Sequence, residues 1–210
     1  RAITVPLVRE WLDGATDSRA DDARVYLARG EFLRHIGQVE NAGNEFAYAT
    51  ELDENLRCGG IVSDQFRYSM RCRAPEQDIL PQCARNGLAT LTYMSLEQGL
   101  LTGKVGMDRV FSPGEFRTNA AWNPWFLLAN RRRVLDLLAG WKDLTDKYAC
   151  TLAQLVIAWT AAQPGVTHVL AGGRTVAQIS ENAKAGDLTL EAADLQRIRQ
   201  EVVALGAPAI

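Results

Sequence analysis

Tyr93-Met-Ser-Leu-Glu-Gln-Gly-Leu-Leu-Thr-Gly-Lys104 decides how this 210-residue chain is read, together with Ala171-Gly-Gly-Arg-Thr-Val-Ala-Gln-Ile-Ser-Glu-Asn182. Each begins where an apolar run ends and continues into a glycine-containing turn. In the second stretch a helix is predicted from near Thr175. Glycine lets a ligand approach the backbone closely, and a helix N-terminus offers free N–H groups and partial positive charge. Arg174 adds a planar, permanently charged fork suited to a phosphate monoester. Gln178 and Asn182 lie four apart on one helix face, with Glu181 beside them. In the first stretch, Tyr93 can stack on a flat heterocycle, and Lys104 can meet a pyrophosphate. A plainer reading stays open for both: a tight strand–helix turn with solvated polar residues, and a core-rim tyrosine with an exposed lysine.

Working outward, apolar runs at 32–37, 61–66, 88–93 and 166–171 predict four short strands. Helical patterns cover 5–30 (with an interruption), 42–56, the segment from Pro75 to Asn86-Gly87, 124–148, 151–163, 175–185 and 191–204. Thr151 is the predicted N-cap of its helix. Residues 103–123 read as a long polar loop. Strands alternating with helices predict an α/β fold with a parallel sheet wound by right-handed crossovers. One domain is expected over 1–210: an N-terminal helical segment at 1–30, strands with their helices at 31–189, and a C-terminal helix and tail at 190–210.

The bulk chemistry narrows the partners. A formal net charge of -2 gives no broad electrostatic reason to meet nucleic acid or an anionic membrane. No apolar run is long enough for a membrane span. The basic run Arg131-Arg132-Arg133 falls in a helical pattern and is expected to be a solvated face, and Arg71, Arg73 and Glu76 are expected to form a structural ion-pair cluster. Cys58, Cys72, Cys83 and Cys150 show no CxxC spacing, and His35 and His168 are the only histidines, so no metal site is expected. Scattered thiols fit a reducing compartment, and a cytoplasmic location is expected.

Taken together these residues resemble the aldo-keto reductase superfamily, in its bacterial and potassium-channel beta-subunit type. There the seventh strand runs from Tyr-Ser-Pro-Leu into Gly-Leu-Leu-Thr-Gly-Lys; here the counterpart is Tyr93-Met94-Ser95-Leu96, then Gly99 to Lys104. The eighth strand's Pro-Gly-Ala-Arg, Gln and Glu-Asn are similar to Ala171-Gly172-Gly173-Arg174, Gln178, Glu181 and Asn182. Gln65 with Tyr68-Ser69, Arg73-Ala-Pro-Glu76, Trp159, and Arg34-His-Ile-Gly37 before Asn41 extend the likeness to roughly residues 30–200.

The resemblance implies a (β/α)8 TIM-barrel-like fold, with about its C-terminal half, strands five to eight, in this chain. It implies NADP as cofactor and hydride transfer to a small-molecule carbonyl substrate. Tyr93 would stack on the nicotinamide, with Gln65 and Asn41 holding its carboxamide. Backbone at Met94 and Leu96, with Lys104, would track the pyrophosphate, and Ser95 and Gly99 of the same stretch would belong to the cofactor site. Arg174 would take the 2'-phosphate, giving NADP over NAD, Gly172 and Gly173 would belong to the same cofactor site, and Gln178, Glu181 and Asn182 would face the adenine side. Two departures stand out: Glu40 replaces the serine before Asn41, and Ser95 replaces the family's proline. The family's Asp, Tyr, Lys and His tetrad belongs to strands two to four and has no counterpart here, so no catalytic residue is assigned. Tyr68 and Tyr93 match other positions. An NADP-dependent oxidoreductase is the leading expectation. The alternative is a non-redox homologue that binds a ligand or performs proton-transfer or cyclisation chemistry. A free half-barrel would expose strand edges, so a homo-oligomer is expected if these residues are the whole molecule.

Overall fold

Parallel pairing of two short strands organises the molecule, as seen in a computed structural model that describes residues 62–209. The strands are β1 (Ser63–Arg67), β2 (Ala89–Tyr93) and β3 (His168–Leu170), in the sheet order β1-β2-β3. The helices are α1 (Ile79–Arg85), α2 (Leu128–Ala139), α3 (Lys142–Lys147), α4 (Leu152–Ala161), α5 (Val176–Ala183) and α6 (Ala192–Ala204). β2 and β3 run parallel, with Leu91 opposite His168, Thr92 opposite Val169 and Tyr93 opposite Leu170. The alternation of strands and helices is that of an α/β fold. Asn41, and the elements predicted within 1–61, lie outside the described residues.

Two compact units divide the chain. The described part of the smaller comprises 62–64 and 75–89. There Asp78 caps α1 by accepting the Ile79 N–H at 2.6 Å, and Gly87, at φ 65°, turns the chain out of the helix. The Cys83 thiol donates to Asp64 at 3.8 Å. Burial, followed by the nearby Asp64 charge, pushes that thiol up to about 12. It therefore stays protonated and unreactive at neutral pH.

The larger unit comprises 65–74 and 90–209. α4 is its central helix: Ala153 to Thr160 are all buried. Thr151 accepts from the Gln154 N–H at 3.3 Å, and Gln154 returns a bond to the Thr151 N–H at 2.9 Å, closing a capping box. Trp159 is fully buried, and its ring N–H donates to the Leu195 carbonyl of α6 at 3.1 Å. Trp141 is likewise buried and donates to Glu201 at 2.6 Å. Each indole thus buries a large apolar face without stranding its donor. Residues 124–148 form three pieces: a 3-10 turn at Pro124–Phe126, then α2, then α3. The break falls at Gly140-Trp141, where Trp141 turns fully inward.

The arginines correct the sequence reading. Arg131 is 4% exposed and donates to the carbonyls of Gly106 (3.2 Å), Arg109 (2.8 Å) and Phe126 (2.9 Å). Arg133 donates to the carbonyls of Leu205 and Ala207. Only Arg132 is a solvated residue of that run. Arg71 lies 3.7 Å from the centre of the Trp125 ring and donates to the carbonyls of Val202 and Gly206. Burial lowers its guanidinium to about 10, so it remains charged at neutral pH. Arg71 and Arg133 fasten the end of α6 and the tail, where carbonyls lack helical partners, while Arg131 satisfies turn carbonyls elsewhere. Asn130 completes the fastening with a reciprocal pair to Ala209.

α6 is held to α3 by Asp194, which accepts from Lys147 at 2.7 Å and from the Tyr148 hydroxyl at 2.5 Å. The Lys147 bond, followed by that of Tyr148, holds the Asp194 carboxyl below the usual carboxylate range. A depressed folded-state value means stability that is present above about pH 4 and lost as pH falls through the folded value. Asp194→Asn is therefore expected to lower the melting temperature at pH 7 and to flatten its decline below about pH 4. Thermal melts across that range check both.

Candidate functional site

Because β2 and β3 are parallel and in register at Tyr93 and Leu170, the segments leaving both strands emerge on the same side of the sheet. The crevice beyond the carboxyl ends of parallel strands is where α/β folds bind ligands. Here it is a cleft of about 610 Å³. Met94, Ser95, Leu96, Gly99 and Lys104 line one side, and Gly172, Gly173, Arg174, Gln178, Glu181 and Asn182 line the other. Tyr93, 38% exposed at the end of β2, and Gln65, exposed in β1, are not on its wall.

The β3 side is built from short-range bonds. Thr175 caps α5 by accepting the Gln178 N–H at 3.2 Å. The Gln178 amide oxygen accepts the Arg174 N–H at 2.7 Å, and the Asn182 amide donates to the Gly172 carbonyl at 3.0 Å. Two of the residues predicted to face a ligand thus also tie the turn to its helix. A Cβ on Gly173 would lie 2.9 Å from Ile179 Cδ1 and 3.1 Å from Gln178 Cβ, so glycine is needed for this approach. The Arg174 side chain is exposed, with no partner among the described residues.

The β2 side is bent unusually. Met94, Glu97 and Gln98 adopt φ of 61°, 45° and 54°, ahead of Gly99 at 92°. Each left-handed non-glycine residue costs on the order of 1–2 kcal/mol, so other contacts must hold this turn. Glu97 is 7% exposed and accepts from Arg67 and from the Ser69 hydroxyl, both at 2.6 Å. Burial alone would lower the Arg67 guanidinium, but the Glu97 charge and hydrogen bond outweigh it, and the net displacement is upward.

Lys104 and Glu181 join the two sides. The ammonium meets both carboxylate oxygens, at 2.9 and 3.1 Å. The Lys104 bond, followed by one from Thr151, holds the Glu181 carboxyl below its ordinary range. Sequence reasoning missed Gln98, Arg109 and Arg117, which also line the cleft. Both arginines come from the 103–123 loop, where no periodic pattern marks them; Arg117 pairs with Glu115 and lies 4.4 Å from the Phe111 ring centre. With Lys104 and Arg174 they give the cleft four cations against one lining carboxylate, Glu181. Mobile anions of a phosphate-bearing ligand suit such a wall.

Comparison with known proteins agrees with this architecture. The model described as Aldo/keto reductase family matches residues 33–202. The chain is 35% identical over 173 residues to an NADH-specific methylglyoxal reductase of Escherichia coli (strain K12), covering 82% of this chain and 52% of that protein. It is 34% identical over 156 residues to a probable voltage-gated potassium channel subunit beta of Arabidopsis thaliana, covering 72% of this chain and 46% of that one. Its fold is similar to the glycerol dehydrogenase of Gluconobacter oxydans, with a TM-score of 0.65 at 24% identity over 76% of this chain and 48% of that one. The chain spans about half the length of the curated relatives it matches.

Gly173→Ala is expected to cost about 1–2 kcal/mol by overpacking the turn against α5. Gly172→Ala, whose Cβ would meet nothing within 4 Å, should stay within about 0.5 kcal/mol of the parent. Urea midpoints for the two variants check the contrast.

Proposed function

The chain belongs to the aldo/keto reductase family, and from that premise we propose that its cleft binds the dinucleotide of an NADP(H)-dependent oxidoreductase acting on a small carbonyl compound. The observation that carries this reading is the convergence of Lys104, Arg109, Arg117 and Arg174 on one cleft at the carboxyl ends of parallel strands. The donor set fits a dinucleotide: cations for its phosphates, and side-chain amides and a carboxylate for its ribose and base edges. When bound, the nicotinamide supplies hydride to a carbonyl carbon.

The chain's own residues position and neutralise. Lys104 and the backbone of the Met94–Gly99 turn take the pyrophosphate, and Arg174 takes the 2'-phosphate that distinguishes NADP from NAD. Gln178, Glu181 and Asn182 meet the adenine side. Tyr93, at the end of β2, offers a flat ring for the nicotinamide. No residue of the cleft is assigned to proton donation.

A second reading, NADH as the cofactor, is favoured by the Escherichia coli relative described as NADH-specific. Titration of the protein with NADPH and with NADH, followed by fluorescence, separates the two. Under the NADP reading, Arg174→Ala weakens NADPH about tenfold or more, the loss of one charge-assisted contact. NADH affinity should then stay within about twofold. Tighter NADH binding by the parent protein, untouched by the substitution, would establish the NADH reading. Failure of both cofactors to bind would overturn the cofactor assignment.

A further inference from the structure

The left-handed turn that walls the cleft exists against local preference, because at positive φ the Cβ of an L-residue crowds the following carbonyl. Strain of this kind persists only where the surroundings over-determine it, and it concentrates at functional sites. Two side chains supply the constraint. Gln98 donates to the Asn123 side-chain oxygen at 2.9 Å, and Asn123 is 5% exposed. Glu97 points its buried carboxylate to Ser69 and Arg67, each at 2.6 Å.

Ser69 is a firm anchor. It is fully buried, and while its hydroxyl donates to Glu97, its oxygen accepts the N–H of Arg71 at 3.1 Å and of Cys72 at 3.0 Å. The Ser69 and Cys72 backbones also bond each other in both directions. Arg67 adds the opposite charge in the short stretch just before it. None of Arg67, Ser69 and Glu97 lines the cleft, whereas Met94, Leu96, Gln98 and Gly99 do.

We infer that Glu97 is a positioning residue for cofactor binding: its carboxylate, clamped by Ser69 and Arg67, holds the left-handed turn that presents the Met94–Gly99 backbone to the dinucleotide. The inference rests on the dinucleotide reading of the cleft. A purely structural Glu97 would affect stability and leave affinity alone.

Glycine separates these roles, because at φ 45° it removes the steric strain together with the tether. In the full protein, Glu97→Gly and Glu97→Ala are both expected to weaken binding of the preferred dinucleotide about tenfold, a cost of misplaced contacts. Glu97→Gly should melt at a higher temperature than Glu97→Ala. Glu97→Gln, which keeps an acceptor for Ser69, should fall between the parent and Glu97→Ala in affinity. Amide hydrogen exchange over residues 94–103 should quicken in Glu97→Gly while the buried core of α4 keeps its protection. Parent-like affinity and parent-like exchange in Glu97→Gly would overturn the inference. If the parent protein binds neither NADH nor NADPH, the dinucleotide reading falls and the proposed role in binding falls with it. Exchange over 94–103 would then still decide whether Glu97 holds the turn.

Discussion

The pairing of Tyr93 with Leu170 across a parallel ladder is the constraint on which the rest depends. Had these strands run antiparallel, the segments after them would have left from opposite ends of the sheet. Parallel pairing puts them side by side, and it requires a long crossover between β2 and β3. The crossover carries α2, α3 and α4, and these helices supply much of the hydrophobic core. At the other end of the pair the register is locked by hydroxyls. Thr90 and Thr167 exchange backbone and side-chain bonds of 2.7 to 2.9 Å. A slip of one residue would break this set and turn every side chain of β3 to the wrong face. Cleft geometry is therefore fixed by strand register.

Charge inside the larger unit follows a consistent rule. Arg131 and Arg71 direct their guanidinium groups at backbone carbonyls left over at turns and at the end of α6. A planar guanidinium can satisfy several carbonyls at once, and stacking over Phe111 or Trp125 covers its face. Glu97 works the other way round: a buried carboxylate recruits a hydroxyl and a guanidinium. Removing one partner of such a set strands a buried charge, which costs more than the pair contributes. These groups hold irregular backbone where no helix or strand ladder can.

How much of this was legible in the sequence follows from what periodicity can carry. The strand at 88–93, the helix opened by Thr151 and the glycine turn after β3 all have local signals, and each appears within a few residues of its predicted bounds. Arg131 was misread because charge was weighed above position. Its spacing to Val134 and Leu138 places it on their apolar stripe, and that spacing was in the sequence. No such signal exists for Glu97. Its left-handed φ depends on Ser69 and Arg67, about thirty residues away, and on no pattern within the turn. Arg109 and Arg117 escaped for a related reason: an irregular loop has no period, so only the folded chain shows which of its cations reach the cleft.

The Glu97 contact behind the cleft wall and the Lys104–Glu181 pair on it differ in kind, and the difference decides what can change when an anion enters. Glu97 is buried, as is Ser69, while Arg67 is only partly covered, and the carboxylate cannot give up these partners without leaving a buried charge unpaired. Lys104 and Glu181 are much more open, with side chains 63% and 23% exposed. A solvent-facing pair of this sort contributes between nothing and about 1 kcal/mol. A phosphate entering the cleft can thus take the ammonium from Glu181 at small cost, and the released carboxylate becomes an acceptor for hydroxyl or amino groups of the same ligand. The rigid turn at Glu97 sets where the backbone stands, while the exchangeable pair lets the side chains answer the ligand. A cleft built entirely of buried pairs would pay a large penalty on every binding event, and one built entirely of exposed pairs could not hold three left-handed residues in place.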